Sequence, residues 1–212
     1  MLSEQQGLTF KDVAGTIWFL FLCACAAAYF GYINVPAPIV NAWDSLNGNA
    51  ASEFDIASMP DPQRRFVGIV SKKRDEYIAA ENDLAKSAVR DARRKELCET
   101  SEPFQTDAVW TGVVETLTTN GDGKGVLAVK IAPHVTVQTW NNGLSDIGSE
   151  TLLPIGSDLF QAAQRLKDGQ RVKFTGNFFQ SGQDCIEEGS LTIDGAMTDP
   201  EFIIRFRSLT PA

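Results

Sequence analysis

Few side chains in this sequence are of a type that could carry out chemistry. Its 212 residues contain one histidine, His134, so imidazole chemistry would have to rest on that ring alone. A metal centre needs His, Cys or carboxylate ligands clustered at ligand spacing. The four cysteines do not provide that: Cys23 and Cys25 sit inside an apolar run, and Cys98 and Cys185 lie far apart in polar sequence. Asp184, Glu187 and Glu188 are the nearest approach to a carboxylate pair for acid–base work, yet in a polar hairpin loop they read as solvated charges. Asn120, Asp122 and Lys124 are turn residues without the alternating oxygen ligands and distal glutamate of a calcium loop. Phosphate-cradling, dinucleotide and nucleophile-elbow patterns are missing from the sequence. The expectation is a protein that is not an enzyme, with no catalytic residue, metal ligand or cofactor.

What remains is binding chemistry. Trp140 ends an alternating apolar stretch and runs into Asn141 and Asn142, which makes the indole and its amide neighbours a candidate binding surface, with His134 and Lys130 as polar contributors. The formal charge is −8, and acidic residues outnumber basic ones within 104–212. Binding to a phosphate backbone draws on counterion release by Lys and Arg, so a nucleic-acid ligand is not expected. Trp110, Phe174 and Phe178 are read as core filling.

These residues must be positioned by the elements around them. No side chain from Val13 to Trp43 is charged, and residues 14–33 are long and apolar enough for a bilayer-spanning helix, with Trp18, Tyr29 and Tyr32 toward its ends. The organisation read from this is a short cytoplasmic tail over 1–12, an anchor over 13–35 and a Pro-, Asn- and Ser-containing linker over 36–62. Three fates of the anchor are compatible with its residues: retention, cleavage near the small residues Ala24, Ala26 and Ala28, or lipidation at Cys25. Retention is the expectation, because only Lys11 and the amino terminus supply positive charge ahead of the span. Lys11 also orients the chain under the positive-inside rule, giving a single pass through the cytoplasmic (inner) membrane with everything beyond it periplasmic or otherwise extracytoplasmic.

Residues 63–99 carry Phe66, Val70, Tyr77, Ala80, Leu84 and Ala88 at helical spacing, which predicts one amphipathic helix. Its cluster Arg90, Arg93, Arg94 and Lys95 reads as a solvated face that complements the helix dipole. From 104 to 212 short alternating runs take over. Strands are predicted over 109–117, 125–131, 135–140 and 171–179, a helix over 158–167, and a long interrupted fifth strand over 190–197 and 201–208.

Three strands, a helix and two strands, with Gly112 in the first and Leu166-Lys167-Asp168-Gly169-Gln170-Arg171-Val172-Lys173-Phe174-Thr175-Gly176 leading through the fourth, resemble the OB-fold. The runs Asp122-Gly123-Lys124-Gly125-Val126-Leu127, Thr139-Trp140-Asn141-Asn142 and Pro200-Glu201-Phe202-Ile203-Ile204-Arg205-Phe206 resemble those of bacterial membrane-anchored proteins with a C-terminal OB-fold-like domain. The resemblance covers roughly 110–208 and carries no activity. It implies a mainly β fold: a five-stranded OB-like barrel with one short helix between strands three and four, preceded by a transmembrane helix and an amphipathic helix. An OB barrel usually binds through its second and third strands and the neighbouring loops.

The function expected is a membrane-anchored binding or scaffolding module with an envelope protein or peptide as its partner. The alternative is a structural protein that forms homo-oligomers through helix 63–97. In an oxidising compartment Cys98 and Cys185 are expected to form a disulfide, the other outcome being two free surface thiols.

Overall fold

The computed structural model describes residues 54, 56–100 and 108–212. The tail over 1–12, the anchor and most of the linker lie outside them. Among the described residues no helix is long and apolar enough to cross a membrane. The last part of the stretch read as linker is folded, since Phe54 and Met59 are buried in the core and a 3-10 turn spans Ile56–Ser58.

The single helix expected over 63–99 is two helices, α1 (Asp61–Ala79) and α2 (Asp83–Glu99). Ala80 turns extended, and the Asn82 side chain then accepts from the Ala85 N–H at 3.0 Å, capping a new helix. The cap interrupts the apolar stripe. Phe66, Val70 and Tyr77 are buried, whereas Leu84, beyond the break, is 86 % exposed. Proline in the first turn of α1 fits the usual placement of that residue.

Five strands close into a barrel in the order β1-β2-β3-β7-β4: β1 (Trp110–Thr119), β2 (Gly125–Ala132), β3 (Val135–Gln138), β4 (Arg171–Phe178) and β7 (Glu201–Pro211). All neighbours are antiparallel except β3 and β7. Helix α3 (Asp158–Ala163) lies between β3 and β4, capped by Ser157. The expected strand over 190–197 is instead helix α4 (Ile193–Thr198), because the Thr192 hydroxyl accepts from the Gly195 N–H and begins a helical turn. The fifth barrel strand therefore starts only at Glu201. The expected polar loop over 181–189 holds a small hairpin, β5 (Gln180–Ser181) with β6 (Cys185–Ile186), and Asp184, Cys185 and Ile186 are buried.

The interior is aromatic. Trp110, Phe174 and Phe178 fill the barrel as expected, and Phe66 of α1 joins them, its ring 5.0 Å from Phe202, 5.4 Å from Trp110 and 5.5 Å from Phe178. Each such pair adds about 0.5–1.5 kcal/mol beyond area burial. Gly112 marks the bend in β1, since a Cβ there would lie 2.5 Å from Val129 and 2.6 Å from the Lys130 carbonyl. Cys98 and Cys185 form the disulfide, with Cα atoms 5.5 Å apart and a sequence separation of 87. In the chain-entropy picture a loop of that length is worth about 4–5 kcal/mol.

One contact between α1 and the barrel was not legible in the sequence. Gln63 is fully buried; its Nε2 donates to the Thr111 carbonyl at 2.7 Å and its Oε1 accepts from the Thr111 N–H at 2.9 Å. One side chain thus does for Thr111 what a neighbouring strand would do. Gln63→Leu leaves both backbone groups unpaired, each costing about 1–3 kcal/mol. Chemical denaturation of that variant is expected to show a loss of at least about 2 kcal/mol, and an unchanged midpoint would contradict the capping role.

Candidate functional site

The structure does not gather the candidate binding residues into one spot. Lys130, on β2, donates to Glu115 at 3.2 Å, and Glu115 also accepts from Thr136 of β3 at 2.9 Å. His134 occupies the β2–β3 turn with φ of 58°, its Nδ1 3.7 Å from Asp199. The His134 imidazole beside it holds the Asp199 carboxyl below its usual value. Trp140 lies past the other end of β3, and six extended residues span up to roughly 20 Å. The Asn142 amide is tied into a turn: its Oδ1 accepts from the Ser145 N–H at 2.9 Å, and its Nδ2 donates to Asn141 Oδ1 and Ser145 Oγ.

Around Trp140 a different surface is built. The Trp140 backbone N–H donates to Thr151 Oγ1 at 2.8 Å, and the Thr151 hydroxyl donates in turn to Asp146 at 2.7 Å. Asp146 is buried and also accepts from the N–H groups of Thr151 and Leu152. Arg205 donates twice to the Ser149 carbonyl and lies 5.4 Å from the centroid of the Phe179 ring. The 141–157 connection has no regular secondary structure of any length, yet a buried carboxylate and a guanidinium pin it. Pinned in this way it presents Leu144, Ile147 and Ile155 outward, 81 %, 75 % and 66 % exposed. Burial of one such side chain in a partner would contribute about 1.5–3 kcal/mol.

Toward the end of this loop, Leu153 pairs its N–H and C=O with those of Gly125 at 2.9 and 2.8 Å. An open recess of about 240 Å³ follows, between the β1–β2 hairpin and α3, lined by Leu117, Thr119, Leu153, Phe160, Ala163 and Gln164 among others. No lining residue is charged. A second cleft, about 350 Å³, lies between the helical hairpin and the start of α4. Three of its polar groups satisfy one another: Tyr77 donates to Asp194 at 2.6 Å, and Lys86 is 3.6 Å from the same carboxylate.

The reading of the 90–95 cations and the 184–188 acids as solvated holds for Arg94 and Lys95, which pair with Asp91 at the surface, but requires correction for Arg90, Arg93 and Asp184. Arg90 forks onto Asp184 at 2.8 and 2.5 Å. Arg93 is fully buried; it donates to the Ala196 carbonyl at 2.6 Å, reaches Asp184 at 3.4 Å and lies 5.9 Å from the Phe202 ring centroid. Burial alone would raise the Asp184 carboxyl, but the Arg90 hydrogen bond and the charges of Arg93 and Arg90 hold it below its ordinary value. Glu188 goes the other way, pushed up by burial despite accepting from Ser190 and the Glu201 N–H. A signal was available: Arg90, Arg93 and Leu97 recur at helical spacing on one face, and Cys98 and Cys185 adjoin Leu97 and Asp184. These charges are a clamp between α2 and the β5–β6 hairpin.

Among the described residues no group of three or more His, Cys, Asp or Glu side chains is placed to hold a metal ion. No protein-family description, no curated protein and no solved structure matches this chain.

The clamp has a pH signature. The folded-state pKa of Asp184 lies below its unfolded value near 3.8, so between the two the unfolded chain binds the extra proton. Its stabilisation is complete above the unfolded value and disappears as pH falls through the depressed one. Glu188 has the opposite sign: its raised pKa favours the fold at low pH, a contribution lost as pH rises through the folded value. Asp184→Asn strands the Arg93 charge and is expected to cost about 3–5 kcal/mol at neutral pH. Denaturation from pH 7 to pH 3 is expected to show a shallower acid decline for the variant than for wild type. Parallel declines would remove Asp184 from this role.

Proposed function

We propose that this protein is a membrane-anchored binding or scaffolding module of the cell envelope that holds a protein or peptide partner outside the cytoplasm, without catalysis. The observation that carries the reading is the 141–157 loop, which presents Leu144, Ile147 and Ile155 to solvent while Asp146 and Arg205 pin its backbone. Exposed aliphatic groups on a floppy loop would collapse inward. Held on a pinned loop, they offer apolar area to a partner at little ordering cost.

We read the barrel as OB-like. The order β1-β2-β3-β7-β4, the parallel β3–β7 pair, the helix between β3 and β4 and the glycine bend in β1 support that reading. The surface beside the β1–β2 turn is where barrels of this kind carry ligands. Fold likeness by itself does not assign an activity. The anchor rests on the charge-free stretch from Val13 to Trp43 and the orientation on Lys11. The disulfide between Cys98 and Cys185 is in keeping with an oxidising compartment. Self-association through the helical stripe draws no support from the packing, because Phe66, Val70 and Tyr77 are already buried.

Two measurements test this reading. Reporter fusions after Ala212 are expected to be active for alkaline phosphatase and inactive for a cytoplasmic fluorescent protein; the reverse pattern overturns the topology. Fluorescence anisotropy with a labelled single-stranded oligonucleotide at physiological salt is expected to show no micromolar binding, because base stacking at about 1–3 kcal/mol per base is opposed by an acidic surface. Micromolar or tighter binding would place nucleic acid among the ligands.

A further inference from the structure

Strand β1 leaves a hydrogen-bonding edge open. Its ladder with β4 ends where the Gly169 N–H donates to the Val114 carbonyl and the Val114 N–H to the Gln170 carbonyl. Beyond that point β1 continues to Thr119 with only β2 beside it. Opposite Thr119 stands Gly125, whose N–H and C=O both go to Leu153; opposite Leu117 stands Leu127, whose groups go to Thr139. Bonded and unbonded pairs alternate in an antiparallel ladder, so Leu117 and Thr119 turn their N–H and C=O groups away from β2, toward the outer edge. Among the described residues no hydrogen bond takes up these four groups.

The uncharged recess adjoins this edge, with Leu117 and Thr119 in its wall and Phe160, Ala163 and Gln164 of α3 and its end opposite them. An apolar cavity of roughly 150 Å³ holds a benzene ring, so 240 Å³ has room for one leucine- or phenylalanine-sized side chain. A charged side chain would lose its hydration there with no counter-ion among the lining residues. Ile155, in contact range of Gly123 at the adjoining turn, adds an exposed aliphatic group at the same end of the barrel.

We infer that the Leu117–Thr119 edge takes an extended peptide segment of a partner protein by strand addition, with one large uncharged apolar side chain of that segment entering the recess. The inference rests on the binding-module reading and names its partner class. Main-chain bonds to Leu117 and Thr119 would supply the affinity, and the recess would select the side chain.

Thr119→Pro tests it. Proline in a strand is tolerated where the missing N–H faced the edge, so this variant should fold normally. Thr118→Pro should not, since Thr118 faces β2 opposite Val126. The probe is a displayed library of random heptapeptides, selected on the full chain in detergent micelles; enriched peptides are then synthesised with capped ends. The result expected is enrichment of uncharged sequences with a central Phe or Leu. Their affinity should fall at least about tenfold on Thr119→Pro, the loss of one backbone bond and the stranding of its partner. Gln164→Trp, which fills the recess from an exposed position, should weaken them likewise and covers the case in which Thr119→Pro is unstable. Enriched peptides indifferent to a folded Thr119→Pro and to Gln164→Trp would overturn strand addition and leave a binding module with another surface. Enrichment of no peptide at all would also overturn the inference, while the fusion topology judges the wider reading separately.

Discussion

A five-stranded barrel closes here only because β1 serves two partners in succession, β4 along its first half and β2 along its second. Each handover leaves backbone groups without a strand beside them, and an unpaired buried amide or carbonyl costs about as much as several favourable contacts gain. Much of the architecture answers that constraint. On one side of β1 the gap at Thr111 is filled by Gln63, which requires α1 to lie against the barrel and brings Phe66 into the aromatic interior. On the other side the gap at Leu117–Thr119 is left facing solvent, where water can satisfy it and a peptide can replace the water.

With α1 so placed, α2 must return along it, and its buried face brings Arg93 into the core. A buried guanidinium is tolerable only when paired, which accounts for Asp184 on the β5–β6 hairpin and for the second cation, Arg90, on the same carboxylate. Cys98 and Cys185 lie one residue from Leu97 and Asp184, so the disulfide and the ion cluster hold the same junction. The disulfide acts mainly by restricting the unfolded chain, whereas the ion cluster selects one arrangement of the folded one. The charges that compete with the barrel for a functional interpretation are therefore absorbed into holding the helical hairpin in place.

The opposite end of the barrel follows a different logic. Asp146 collects donors from Thr151 and Leu152, Arg205 grips Ser149, and the connection between β3 and α3 becomes a fixed platform without being a helix or strand. Because its backbone is held both by Asp146 within it and by Arg205 and Gly125 of the barrel, its aliphatic side chains can point outward without loosening the loop. Ile155 of that platform, the uncharged recess and the open edge of β1 share one end of the barrel, and that juxtaposition gives the binding reading its physical content.

Local pattern was enough to determine the strands at 125–131 and 171–179, the glycine bend at Gly112, the filling role of Trp110, Phe174 and Phe178, and the Cys98–Cys185 pairing. Each depends on alternation, on a residue type with few conformational options, or on elimination among four cysteines. The Asn82 and Thr192 caps were also present in the sequence, but helical periodicity across 80–82 and β propensity across 190–197 argued against them. A cap decides a boundary only when the backbone on either side is free to turn. Tertiary structure alone decided that Arg93 and Asp184 are interior and that Gln63 stands in for a strand. The physical reason is common to both. A polar side chain's environment is set by which distant segment packs against it, and the period of a sequence records which face of an element is buried but not what the face meets.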